Sequence, residues 1–130
     1  MPKPAAAFAS LLSLMLTSLM LIHPAVASDV RFVGQSRASP QLRTDLIAVI
    51  SGYSMHQYKC PTVSSIDSTV LPPAYKPRTA IYQIGAANHH YERWTATACD
   101  TKRTFLVGLW PVPQGGADYK VVEIPPGVEP

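Results

Sequence analysis

Apolar residues recur at helical spacing between Leu42 and Ile50, where Leu42, Leu46, Ile47, Val49 and Ile50 gather on one side of a 3.6-residue spiral. Ser39 can cap the N-terminus of such a helix through its hydroxyl, Pro40 suits the first helical position, and Gly52 offers a stop. The pattern predicts a helix of about three turns with one apolar face. Beyond it the period changes to two. The β-branched run 62–70 suits a strand, and the 71–77 segment, with Pro72, Pro73 and Pro77, cannot extend it because proline removes ladder donors. A short strand is expected at 80–84, ended by Gly85. In 90–99, Glu92, Trp94, Ala96 and Ala98 alternate with Arg93, Thr95, Thr97 and Cys99. A tight connection at 100–102 leads into a return strand at 103–110, with Phe105, Val107 and Leu109 on one face. Pro111 and Pro113 end it, Gln114-Gly115-Gly116 turns the chain, and 117–124 forms a last strand.

Ahead of the helix, Val30, Phe32 and Val33 lie in a polar 28–38 lead that reads as an edge strand or a loose arm. The expected fold is α+β, one N-terminal helix packed on an antiparallel sheet of about four strands. No internal repeat marks a second unit.

The first residues alter this picture. Lys3 is the sole charge before Asp29, the 5–22 stretch is dominated by Ala, Leu and Met, and Pro24 precedes Ala25-Val26-Ala27. This is the layout of a cleavable signal peptide, with cleavage expected between Ala27 and Ser28. A retained anchor is the alternative, because the apolar run approaches the roughly 20 residues that span a bilayer; the small residues at the cleavage positions favour removal. The expected organisation is a signal peptide at 1–27, a single domain at 28–124, and a disordered tail at 125–130, where nothing is available to bury. No second run is long and apolar enough to span a membrane, so no stable span is expected after cleavage. The expected location is periplasmic or secreted.

Both cysteines, Cys60 and Cys99, fall after this leader, and an even count in an exported chain points to one disulfide. A bridge closing a loop of about 40 residues should stabilise so small a domain by about 3 to 4 kcal/mol in the chain-entropy model. Two free thiols or a metal pair are the alternatives, but a cysteine zinc site needs more ligands than two. The formal charge of +3, without a basic run, does not indicate nucleic acid as a partner.

Glu92-x-Trp94-x-x-x-x-Cys99, followed by Leu106-Val107 and by the Gly115-Gly116 turn, resembles a group of small exported proteobacterial proteins across about a third of the exported part. The resemblance implies a bacterial envelope protein and no particular activity. That group usually carries Gly after the Cys, where this chain has Asp100, which puts the turn type in question. Trp94 is expected to pack near the bridge, and Glu92 to meet a basic neighbour, Arg103, across the hairpin.

Candidate chemistry is sparse. His89 and His90, with His56 and Glu92, carry imidazole and carboxylate groups suited to zinc or copper, although adjacent strand residues point to opposite faces unless they lie in a loop. Gly52-Tyr53-Ser54-Met55-His56 is similar to a nucleophile elbow, but His56 replaces the second Gly and the segment follows a helix. Gly115-Gly116 lacks the Lys-Ser or Lys-Thr of a phosphate cradle. No pair of carboxylates stands poised for acid and base roles. The six tyrosines and two tryptophans are many for so short a chain, and such residues fill cores as well as interfaces.

The expectation is therefore a non-enzymatic binding module of the bacterial envelope, without a cofactor. It would engage an envelope or extracellular protein through the sheet face opposite the helix or through an aromatic edge containing Trp110 and Tyr119. The alternative is a small metal-binding envelope protein using His89, His90 and His56.

Overall fold

The computed structural model describes residues 29–130. The expected signal peptide and its cleavage site lie outside the described residues. The chain forms β1 (Arg31–Gly34), α1 (Pro40–Tyr58), β2 (Val63–Val70), a single 3-10 turn at Ala80–Tyr82, β3 (His90–Ala98), β4 (Thr101–Pro111) and β5 (Ala117–Ile124). The strands make one sheet in the order β1-β2-β3-β4-β5. The class is α+β as expected, but the sheet has five strands and is mixed. β1 runs parallel to β2, because α1 carries the chain back across the sheet between them, and the other pairings are antiparallel.

Helix α1 begins where the sequence indicates. Ser39 accepts the Leu42 N–H through its hydroxyl at 3.2 Å, with Pro40 in the first turn. It runs past Gly52, however, to Tyr58, for 19 residues in all. Gly52 faces open space and has a negative φ, so it weakens the helix by about 1 kcal/mol without ending it. Continuation is favoured by Tyr53, which packs edge-on against Phe105 with ring centres 5.7 Å apart, and by the hydroxyl bonds of Tyr53 and Tyr58 to Glu123, while Ser54 continues the buried stripe of Leu46 and Ile50 at four-residue spacing. The stop is Lys59 in the left-handed region, whose N–H bonds back to the Met55 carbonyl.

Under the helix lies the main core. Ile66, Trp94, Ala96, Phe105, Val107 and Leu109 come from the same side of three central strands, as their register demands. Trp94 is completely buried and meets Phe32 of β1 edge-on, with ring centres 5.1 Å apart. Gly34 closes β1 at φ 90°, and a Cβ there would stand 2.0 Å from the Ser68 carbonyl oxygen, so glycine lets β1 and β2 approach.

The opposite sheet face is also covered. Tyr82, Tyr91, Leu106 and Ile124 form a second cluster with Leu71, Tyr75 and Ile84 from the connector. The 80–84 segment, expected as a strand, instead makes its 3-10 turn and then packs side chains onto the sheet. Ile84 occupies the space above Gly108, where a Cβ would stand 1.9 Å from its Cδ1, and its N–H bonds to the Tyr91 hydroxyl at 2.9 Å. Residues 125–130 were expected to have nothing to bury; they turn through a Val128 N–H to Pro125 carbonyl bond of 3.1 Å, and Pro130 is buried.

Cys60 and Cys99 form the expected disulfide, with Cα atoms 5.9 Å apart. The bridge joins the residue two beyond the helix to the β3–β4 turn. That turn has two residues, Cys99 at φ 46° and Asp100 at φ 62°, between the paired Ala98 and Thr101. Two positive φ values in a two-residue hairpin are the type I′ pattern, and Asp100 tolerates the left-handed region better than most side chains.

Candidate functional site

Strands β4 and β5 extend past the first turn of α1, and the gap between them and the helix is a cleft of about 460 Å³. Its floor is the end of the sheet, with His90, Leu109, Pro111 and Ala117 on the helix side by register. Ser39, Gln41, Leu42 and Asp45 of the cap and early helix form one wall, and Arg37 enters from the connection preceding the helix. Apolar and charged groups share this lining, a mixture found in sites of small-molecule size.

Glu92 sets the position of these groups. It has no exposed surface, and its Oε1 accepts the backbone N–H of Arg37 at 2.7 Å while its Oε2 accepts the indole N–H of Trp94 at 2.8 Å. His90 Nε2 lies 3.4 Å from Oε1, too poorly aligned for a hydrogen bond. A buried carboxylate survives only when such donors replace its hydration. The result is a fixed point between β3 and the chain entering α1, which holds the Arg37 backbone at the cleft while leaving its side chain exposed.

This corrects the expected Glu92–Arg103 contact. Arg103 stands opposite Ala96 in the hairpin, whereas Glu92 stands opposite Val107. Arg103 pairs instead with Glu123 of β5 at 3.4 Å, and its guanidinium carbon lies 3.1 Å from the ring centre of Tyr58. Tyr53 and Tyr58 each donate a hydroxyl hydrogen bond of 2.6 Å to Glu123 Oε2. The bond to Glu123 is the main reason that the Tyr53 hydroxyl is held well above its ordinary pKa, with burial next. Tyr58 is shifted upward by the same bond. This cluster anchors the C-terminal half of α1 to β5.

The three candidate histidines, His56, His89 and His90, do not converge. His90 faces the helix side, while the ring of His89 turns to the other side, packs against Tyr91 and places Nδ1 2.6 Å from the Ala86 carbonyl. His56 is exposed in the last turn of α1, and 14 helical residues, roughly 21 Å, separate it from Leu42 beside the cleft. Among the described residues, no group of three or more His, Cys, Asp or Glu side chains is placed to hold a metal ion. Ser54 lies inside the helix with no exposed surface, contrary to the exposed serine of a nucleophile elbow.

Trp110 and Tyr119 are likewise divided between faces. Trp110 pairs with Asp118 and Leu109 with Tyr119, so the tryptophan leaves the sheet away from the helix and the tyrosine toward it. Trp110 lines the cleft from its rim, while Tyr119 packs against the main core. The sheet face opposite the helix, expected to be free for a partner, carries the connector. Arg37 and Glu92 were missed together as a site, because a bond from a main-chain N–H to a carboxylate 55 residues away leaves no side-chain pattern in the sequence.

Compared with protein families, curated proteins and solved structures, the chain matches none. Fold and cleft define a small disulfide-linked α+β domain. Among the described residues, no helix is long and apolar enough to cross a membrane.

Proposed function

We propose that this protein is a non-enzymatic binding module of the bacterial envelope, acting in the periplasm or after secretion, and that it receives a partner protein in the cleft beside the start of α1. The disulfide suits an oxidising compartment, and the signal-like leader and the Glu92-x-Trp94-x-x-x-x-Cys99 pattern support export. The observation that carries the reading is the cleft itself, in which Leu42, Leu109 and Pro111 can accept an apolar group while Arg37 and Asp45 offer polar contacts at the same opening. The covered opposite sheet face makes this the favoured docking surface.

The test is retention of a partner from envelope extract by the immobilised protein and by two variants. Trp110→Ala removes the rim, and Ala117→Arg fills the floor from an exposed position. Loss of the same partner by both variants, with folding unchanged by circular dichroism, is the expected result. Equal retention by all three proteins would overturn the reading.

A further inference from the structure

We infer that the occupant of this cleft is the free C-terminal carboxylate of a partner polypeptide whose last side chain is apolar. The inference rests on the binding reading above and assigns its chemistry. Two features favour an anion at the opening.

The guanidinium of Arg37 is exposed there and, among the described residues, has no ion-pair partner, although its own backbone is pinned by Glu92. An arginine with a fixed backbone and a free fork suits a carboxylate, which it can hold through two parallel hydrogen bonds. Second, the cleft takes in the cap and first turn of a 19-residue helix that has no acidic residue there to balance its positive end. The carboxylate in the lining, Asp45, stands beyond that first turn and accepts the Gln41 side-chain amide at 3.0 Å.

The remaining lining identifies what the carboxylate is attached to. Leu42, Leu109 and Pro111 provide an apolar surface beside Arg37, which fits a hydrophobic terminal side chain. Ser39, Gln41 and Asp45 interrupt that surface with donors and acceptors. A bare hydrocarbon chain would strip water from those groups without replacing its hydrogen bonds, whereas the amides of a peptide can replace them. Capture of a chain terminus by charge and backbone donors is an established recognition mode, with the last side chain supplying selectivity.

The test uses protein purified from the periplasm with its disulfide intact, followed by backbone amide NMR during titration. The probes are N-acetylated hexapeptides ending in Leu, Val or Phe with a free carboxylate, their C-terminal amides, and decanoate. Expected are shifts at Gln41, Leu42 and Ala117 with the free acids, and affinity roughly ten-fold or more weaker for the amides, as loss of one charge-assisted hydrogen bond implies. Arg37→Gln should remove most of the difference between acid and amide while leaving the remaining spectrum in place. Equal affinity for acid and amide, equally tight binding of decanoate, or no shift with any free acid would overturn the inference. If that happens while the extract partner is still lost on Trp110→Ala and Ala117→Arg, the terminal-carboxylate assignment falls and the binding reading stands. Retention by both variants removes both.

Discussion

Glu92 accepts the backbone N–H of Arg37 at 2.7 Å, tying the start of the domain to its central strand across 55 residues of sequence. The same carboxylate receives the Trp94 indole N–H, so one fully buried side chain satisfies two donors from different elements. Glu92→Gln keeps the shape but offers only one acceptor oxygen, leaving a donor underused. The expected destabilisation is about 1 to 3 kcal/mol by urea unfolding. An unchanged midpoint would mean that water satisfies these groups.

The disulfide gives a second prediction. Its cysteines are 39 residues apart, and replacing both by Ser should lower stability by about 4 kcal/mol in the chain-entropy model. Comparison of oxidised, reduced and doubly substituted protein by thermal unfolding checks this. If reduction leaves the midpoint in place, the bridge contributes nothing to the folded state.

A third prediction concerns the turn beside that bridge. Asp100 occupies the left-handed region at φ 62°, where a Cβ is disfavoured and glycine is not. Asp100→Gly should therefore stabilise the protein by up to about 1 kcal/mol, measured by urea unfolding. The opposite sign would point to a local bond made by the Asp100 carboxylate.

Gly34→Ala should act in the other direction. The new Cβ would meet a backbone oxygen of Ser68 that no side-chain rotation can move, at a φ that alanine avoids. The expected loss is about 2 kcal/mol or more, with fastest hydrogen exchange in β1 and β2. A mild loss spread evenly over the sheet would contradict it.

Alkaline titration tests the Tyr53–Tyr58–Glu123 cluster. Tyr53 is raised above the ordinary value of 10.0, first by its hydrogen bond to Glu123 and then by burial. A raised folded pKa contributes stability that is fully present below the unfolded value and lost as pH climbs toward the folded one. Stability should thus decline above about pH 10, and Tyr53→Phe should flatten that decline. Tyrosinate absorbance should show fewer than six residues ionising before the protein unfolds.

Much of the fold was legible because proline and glycine punctuate it. The last strand was placed at 117–124, between the Gly115-Gly116 turn and Pro125, and β5 has those bounds. The helix start was written in Ser39-Pro40, but its end was not, because Gly52 breaks a helix only when nothing beyond it docks. β1 was ambiguous because just Phe32 of its four residues is partly buried. The 80–84 stretch misled for a different reason. Tyr82 and Ile84 are apolar because they cover the sheet, not because they belong to it. For the cleft, Trp110 was legible as a candidate, while Arg37, Leu42 and Asp45 were not, since the gap between a helix start and a hairpin exists only after the chain has folded.

The spatial succession of strands repeats their succession along the chain. Each new strand can therefore join an open edge of its predecessor, and none has to be threaded between two that are already paired. Assembly can proceed as simple outward growth from β2 and β3, with β5 added without disturbing earlier pairings.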